Sequence, residues 1–216
     1  MQARSPLKGL LIFTFYCAKQ YLAFSVLTSM MLGIAWLVTW NNIAFSFFMY
    51  SAVAVLPYIV LISIGGKVAS RWEKLQISMP VKRKSLANAQ YLSVLLASLF
   101  GVFIFLMVFG VGFFLHDGIM EFAEAVALTL LTFSFGTVML AVALAFPIAC
   151  TKIGNGEVGL TLAILISVGV FVGISTAMTH FEVSHVMSAL VFIVLGGIPF
   201  VISLFITRAI YARLDF

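Results

Sequence analysis

Long apolar runs separated by short polar stretches dominate the chain. Asp, Glu, Lys and Arg are missing from five windows, at residues 20–66, 85–116, 125–151, 158–181 and 184–207. A helix needs about 20 apolar residues to cross a bilayer. The first window can hold two such helices, parted at Trp40, Asn41 and Asn42, and each of the others holds one. The pattern predicts an all-α integral membrane protein with six transmembrane helices, near 21–40, 43–65, 90–115, 123–149, 158–179 and 186–208.

The composition agrees with this prediction and excludes a soluble globule. Of the 216 residues, 63% are hydrophobic and 9% are charged, whereas a soluble domain is about half apolar and about a quarter charged. The apolar runs are continuous, which disfavours a β-barrel, because barrel strands alternate apolar and polar positions. We therefore predict a single membrane domain over residues 1–216. The first residues lack the cleavage pattern of a signal peptide, so none is expected.

The basic residues fall on only one side of this map. With the N-terminus in the cytosol, the inner segments hold all twelve Lys and Arg residues. The outer loops hold Asp117, Glu121, Glu124 and Glu182 and no base. Since cytosolic loops of membrane proteins are enriched in Lys and Arg, we predict cytosolic N- and C-termini. We attribute the net charge of +5 to contact with anionic membrane lipid and not with nucleic acid.

Residues near the predicted helix ends fit this orientation. Trp36 and Trp40 are placed at the outer interface, where Trp side chains anchor helices to the headgroup region. Cys17 and Cys150 fall at cytosolic boundaries. Because the cytosol is reducing, a disulfide between them is not expected.

The predicted spans lack the groups that most membrane chemistry needs. No ionisable residue is placed at the centre of a span, which disfavours proton- or sodium-coupled transport. Residues 65–68, Gly-Gly-Lys-Val, lack the earlier Gly and the following Ser or Thr of a phosphate-binding loop. His116, His180 and His185 lie on the outer side and are interpreted as solvated loop residues in preference to a metal site. We expect no catalytic residue, metal or cofactor in this chain, and no enzyme activity.

Small and hydroxyl-bearing residues inside the spans are interpreted as packing groups. The Ser and Thr residues between 129 and 137 are expected to bond to helix backbone or to neighbouring helices. Gly169 and Gly173 form a Gly-x-x-x-Gly pattern, which permits close approach of a second helix. This approach could be internal packing or self-association.

The largest polar segment, residues 66–91, holds half of the basic residues. Within it, residues 70–79 predict a short amphipathic helix, because Trp72, Leu75 and Met79 fall on one face. Pro80 then ends the helix. Such a helix could lie on the lipid surface, or its apolar face could fit a groove on a cytosolic partner. The residues themselves leave both interpretations open.

Three motifs in this segment resemble a signature of small ABC-2-type permeases. They are Trp72-Glu73-Lys74-Leu75, then Ser78-Met79-Pro80-Val81-Lys82-Arg83-Lys84, then Gln90-Tyr91-Leu92. Those permeases commonly carry a Trp/Glu-rich helix, a Leu-Pro-Val-Ser-Arg-like turn and a Lys-Tyr pair at the start of the third helix. This chain departs from the pattern at Met79, Lys82 and Gln90, where the family often has Leu, Ser and Lys.

The resemblance implies an exporter permease that hydrolyses no nucleotide itself. In that family the loop after the second helix docks as a coupling helix on a cytosolic ABC ATP-binding subunit, which holds the ATP and Mg. The implied partner-binding residues are Arg71, Trp72, Glu73, Lys74, Leu75 and Met79. A second inner loop, with Gly154, Asn155, Gly156 and Glu157, would make a smaller contact with that subunit or form a plain turn. Residues 7–20 would correspond to the family's elbow helix on the membrane surface.

Taken together, the sequence predicts the permease of an ATP-driven exporter in a prokaryotic cytoplasmic membrane. One bundle of six helices offers little room for a pathway, so a second permease chain, identical or different, is expected as a partner. The Phe-rich spans suggest an amphipathic or hydrophobic cargo, such as a peptide or lipid-like molecule. The main alternative is a non-transporting scaffold or assembly factor that recruits a cytosolic partner through residues 66–91. An ion-coupled carrier and an intramembrane enzyme are disfavoured.

Overall fold

The computed structural model describes residues 6–65, 82–115, 120–150, 156–181 and 185–213, and these residues are almost entirely helical. In chain order the elements are α1 (Pro6–Thr39), α2 (Asn42–Met49), a π-helical segment (Tyr50–Val55), α3 (Leu56–Gly65), α4 (Arg83–Leu115), α5 (Met120–Cys150), α6 (Gly156–His180) and α7 (His185–Arg213). Over this part of the chain the predicted all-α class is confirmed.

Four helices in the described ranges are long and apolar enough to cross a membrane. They cover Leu7–Thr39, Lys84–Gly112, Leu130–Pro147 and Ala189–Arg213. Two shorter apolar stretches, Phe47–Leu61 and Leu165–Met178, fall within the predicted second and fifth spans. The chain is therefore a multi-pass membrane protein, and the count of six spans stays a prediction.

α1 is one helix of 34 residues, about 51 Å long at 1.5 Å per residue. The hydrocarbon core of a bilayer is about 30 Å thick, so several turns of α1 extend beyond it. The elbow helix implied for residues 7–20 is not a separate element but the first part of α1. The helix continues because no proline lies between Leu7 and Thr39.

A two-residue turn at Trp40 and Asn41 separates α1 from α2, at the predicted boundary between the first two spans. The Trp40 N–H donates to the Trp36 carbonyl at 2.7 Å, and the Phe45 N–H donates to the Asn41 carbonyl at 3.0 Å. Trp40 has a φ of 48°, in the left-handed region that residues other than glycine seldom adopt. This conformation reverses the chain within two residues.

The second apolar stretch changes helix type just before Pro57. A proline inside an α-helix lacks the N–H for the backbone bond and clashes with the carbonyl four residues earlier, here that of Val53. The segment Tyr50–Val55 is π-helical and buries Ser51, Ala52 and Val53. Because a π-turn widens the helix, we attribute this segment to the need to accommodate Pro57.

Three buried apolar clusters follow one another along α4. The first joins three α4 residues between 86 and 89 to Leu10 of α1 and Tyr211 of α7. The second surrounds Tyr91 and includes residues of α3 and α5. The third surrounds Phe105 and includes residues of α1, α2 and the π-helical segment. α4 is therefore the central helix against which most of the described elements pack.

Aromatic rings stack against one another at the end of the bundle around the third cluster, and we call this region the aromatic end. Its rings are those of Trp36, Phe45, Phe48, Phe105 and Phe109. Trp36 is only 6% exposed, so the prediction that it anchors α1 at the membrane interface is wrong. Its ring lies against Gly112, where an added Cβ would stand 2.6 Å from it. The missing side chain makes room for the indole inside the bundle.

Several hydroxyl groups in the helices bond to their own backbone. Thr137 Oγ1 donates to the Phe133 carbonyl at 3.1 Å and to the Ser134 carbonyl at 3.0 Å, and Ser93 Oγ donates to the Ala89 carbonyl at 2.7 Å. The predicted backbone-bonding role is confirmed for Thr137. Ser134 differs, because its buried hydroxyl has no hydrogen-bond partner.

The outward face of α1 is apolar and wide. Tyr21, Phe24, Met31 and Val38 are 66 to 79% exposed. In water such a face would be unfavourable by about 25 cal/mol for each Å², whereas lipid tails are as apolar as these side chains. The surface of α1 is therefore suited to lipid as its solvent.

Candidate functional site

The side chains implied to bind the ATP-binding subunit within residues 66–81 lie outside the described residues. They are Arg71, Trp72, Glu73, Lys74, Leu75 and Met79. Gly154 and Asn155 of the second inner loop also lie outside, whereas Gly156 and Glu157 are the first two residues of α6. The helices on both sides of the 66–82 segment are described. They define the candidate site, which is the end of the bundle from which that segment extends.

The two helices that flank the 66–82 segment pack against each other near it. Val60 and Leu61, close to the end of α3, share a buried cluster with Tyr91 and Val94, close to the start of α4. None of the four is more than 3% exposed. The segment therefore starts and finishes at the same end of the bundle, and both of its attachment points are firmly packed.

The start of α1 and the end of α7 lie at this end as well. Leu10 of α1 and Tyr211 of α7 are buried together with three residues at the start of α4, namely Leu86, Ala87 and Ala89. In the predicted topology the N-terminus, residues 66–91 and the C-terminus share one side of the membrane. The packing of these three helix ends agrees with that arrangement.

Basic side chains surround this cluster, and we call this region the basic end of the bundle. It is defined by Lys8, Lys82, Lys84, Arg208 and Arg213. Arg208 is half-buried and the other side chains are exposed. A positive surface of this kind suits anionic headgroups or an acidic protein surface.

A hydrogen bond joins the side chains of α4 and α7 at the basic end. Arg208 Nε donates to Asn88 Oδ1 at 2.7 Å. The Arg208 guanidinium also lies 5.5 Å from the centroid of the Phe205 ring. Because hydrogen bonds from a charged donor are stronger than neutral ones, this contact is a firm link between the two helices.

Tyr91 makes a second link between α4 and α7. Its hydroxyl oxygen lies 2.5 Å from Ser203 Oγ and 2.9 Å from Thr207 Oγ1. The ring is held by Phe146 of α5, with centroids 4.8 Å apart, and by Phe200 of α7, at 5.1 Å. The phenol is therefore fixed from both sides, and its hydroxyl is directed at α7.

Gln90 makes a longer contact in the same region. Its Nε2 donates to the Tyr211 hydroxyl at 3.5 Å, while its buried Oε1 has no hydrogen-bond partner. Gln90 and Tyr91 belong to the motif that carries the family resemblance. In the structure they connect α4 to the last helix.

Sequence reasoning missed the connection between Asn88 and Arg208. The charge pattern identifies Arg208 only as a cytosolic base at the end of the predicted sixth span, whereas α7 continues to Arg213. The signal was present, because Ser203, Thr207 and Tyr211 recur every four residues in an apolar run and so share one helix face. Asn88 and Tyr91 likewise share a face of α4.

Among the described residues, the basic end of the bundle contains hydrogen bonds between helices and a group of positively charged side chains. Within the described ranges, no group of three or more His, Cys, Asp or Glu side chains is placed to hold a metal ion. His180, at the end of α6, is exposed and lies edge-on to Phe181, with ring centroids 5.5 Å apart. What the basic end can support is docking of a partner and transfer of movement between helices.

A family model described as ABC-2 family transporter protein covers residues 9–212, which include the 66–82 segment and nearly the whole of every described helix. Neither the curated proteins nor the solved structures gave a match. Permeases of this family generally work with an ATP-binding subunit. The chain therefore belongs to the ABC-2 family of transporter proteins, as the membrane-spanning permease component of an ABC transporter.

Proposed function

We propose that this chain is the permease subunit of an ATP-driven exporter in a prokaryotic cytoplasmic membrane, with six transmembrane helices and no enzyme activity of its own. A separate cytosolic ABC ATP-binding subunit holds the ATP and Mg. It docks on residues 71–79, through Trp72, Leu75 and Met79 on one face of the predicted amphipathic helix.

One observation supports this proposal most directly. The 66–82 segment connects α3 and α4 where Leu61 and Tyr91 share a buried cluster, at the end of the bundle that also carries the exposed Lys8, Lys82 and Lys84. A partner that pushed on the segment would act on two packed helix ends. In the proposed mechanism, ATP-driven closure of the partner subunits displaces this end and tilts the bundle.

We further propose that two permease chains form the transport pathway between them. The three apolar clusters pack one side of α4 along its length, whereas Leu99, Phe103 and Met107 on its outward side are each more than half exposed. A route at the boundary of two chains would be lined by apolar outward faces such as this side of α4. This lining favours an amphipathic or hydrophobic cargo, such as a peptide or a lipid-like molecule.

Replacing the docking face should break the complex with the ATP-binding subunit. The double variant Trp72→Ala with Leu75→Ala removes two of the three apolar side chains on that face. We expect the amount of ATP-binding subunit that co-purifies in detergent to fall at least about tenfold, which corresponds to about 1.4 kcal/mol of binding energy. The measurement is the ratio of the two subunits after affinity purification, together with ATP turnover of the purified complex.

Ile77→Ala is the matched control, because it also shortens an aliphatic side chain but lies on the opposite face of the predicted helix. It should leave the subunit ratio unchanged. If the double variant keeps full assembly and ATP turnover, the coupling-helix assignment is wrong. If the captured partner turns over no ATP, a recruiting scaffold explains the chain better than a transporter permease.

A further inference from the structure

The links between α4 and α7 at the basic end suggest a role that goes beyond docking. We infer that Asn88 and Tyr91 are positioning residues that couple the start of α4 to the end of α7, so that a push on the 66–82 segment moves both helices together. This inference rests on the proposed function, because it takes the docked subunit as the source of the push.

Asn88 and Tyr91 lie close to the start of α4, the helix that follows the docking segment in the chain. Asn88 and Tyr91 lie five and eight residues after Arg83, where α4 begins, which is within about 12 Å along the helix axis. Both are on the face of α4 that meets α7. A displacement of the start of α4 therefore reaches these hydrogen bonds before it reaches the centre of the bundle.

The partners on α7 form a matching row. The Tyr91 hydroxyl lies within hydrogen-bond distance of both Ser203 Oγ and Thr207 Oγ1, and Arg208 Nε donates to Asn88 Oδ1 at 2.7 Å. Because Ser203 and Arg208 are five residues apart, these contacts follow α7 for about 7.5 Å. Contacts spread over this length resist tilting of one helix against the other, which a single contact would permit.

The hydrogen bonds between α4 and α7 are better suited to transmitting movement between the helices than to stabilising the fold. The rings of Phe146 and Phe200 hold the Tyr91 ring, and Leu86, Ala87 and Ala89 supply the apolar packing. Interhelical hydrogen bonds in lipid contribute only modestly to stability. The packed side chains therefore keep the helices together, and the hydrogen bonds fix how α4 and α7 are aligned.

The test uses the double variant Asn88→Leu with Tyr91→Phe, which keeps the apolar packing and removes both hydrogen-bonding groups. Spin labels go on cysteines at Lys84 and Ala212, two exposed positions at the basic end, in a chain with Cys17→Ser and Cys150→Ser. Pulsed electron paramagnetic resonance measures the distance between them in lipid nanodiscs, with excess unlabelled chain to exclude pairs between subunits.

For the chain alone, we expect one narrow distance in the unaltered protein and a broadened distribution, or a mean shifted by about 2 Å or more, in the double variant. Ser93→Ala is the control, since its hydroxyl bonds only within α4, to the Ala89 carbonyl, and it should keep the narrow distance. A narrow, unshifted distance in the double variant overturns the inference, whether or not an ATP-binding subunit exists.

For the complex, we expect the stimulation of ATP turnover by the chain to fall about fivefold or more in the double variant, with subunit assembly and melting temperature retained. Asn88→Asp, combined with the natural Tyr91, should keep the stimulation, because a carboxylate still accepts from Arg208. Normal stimulation in the double variant overturns the inference. If the variant Trp72→Ala with Leu75→Ala assembles normally with the ATP-binding subunit, that result contradicts the proposed function instead. The two experiments therefore distinguish an error in this inference from an error in the proposed function.

Discussion

Substitution of Gly101 by alanine is expected to destabilise the protein more than alanine at Gly110 or Gly112, the other two glycines of α4. A Cβ at Gly101 would collide with the carbonyl oxygen of Ala52 and stand 3.2 Å from its carbonyl carbon. These are backbone atoms of the buried π-helical segment, so no rotamer change can relieve the contact. We expect a loss of about 3 kcal/mol or more, at the upper end of the usual cost of overpacking.

The measurement is the melting temperature of the detergent-solubilised protein, followed by size-exclusion chromatography of heated samples. Gly110→Ala is the matched control on the same helix, because a Cβ there has nothing within 4 Å. Alanine favours a helix over glycine by about 1 kcal/mol, so the control should melt at or above the temperature of the unaltered protein. Equal melting temperatures for the two variants would show that α4 does not approach the π-helical segment this closely.

The second large effect is expected at the crossing of α5 and α7. A Cβ at Gly196 would stand 2.6 Å from the Cα of Gly136 and 2.9 Å from its carbonyl oxygen. Glycines at such crossings let helix backbones approach in lipid, where packing drives association. Gly196→Ala should therefore push α7 away from α5 and cost about 1–3 kcal/mol, with a matching loss of monodisperse protein on heating.

Gly197 is the adjacent control for this crossing. A Cβ at Gly197 has nothing within 4 Å, so Gly197→Ala adds the same methyl group one position along α7 without a clash. It should leave the elution profile unchanged, and the melting temperature should be equal to or above that of the unaltered protein. Equal losses in the two variants would indicate a general effect of alanine in α7, and the close crossing would then be wrong.

Much of the fold could be predicted from the sequence because lipid imposes a simple rule on it. Charges are unfavourable in hydrocarbon and backbone groups must bond within a helix, so charge-free windows mark the helical segments. The turn at Trp40 and Asn41 is predicted in this way. The packing of the start of α1, the start of α4 and the end of α7 against one another agrees with the predicted topology, which stays a prediction. The family was recognisable from the motifs at 72–75, 78–84 and 90–92.

What the sequence did not reveal depends on packing between distant residues. The charge-free windows give only the minimum length of each helix. They therefore miss the turns of α1 before residue 21 and the turns of α7 after Arg208. The burial of Trp36 depends on the missing side chain at Gly112, which is 76 positions away in the chain. Likewise, the bond between Asn88 and Arg208 joins residues 120 positions apart, and no local pattern specifies such a partner.

Docking of a cytosolic ATP-binding subunit on the amphipathic face of residues 71–79 can be tested by site-specific photo-crosslinking. The photoreactive residue p-benzoylphenylalanine replaces Trp72, Ile77 or Asp117 in intact cells. Our proposal predicts a crosslinked product with the ATP-binding subunit from position 72, far less from position 77 on the opposite face, and none from position 117 in the predicted outer loop. No product from position 72, or an equal product from position 117, would contradict it.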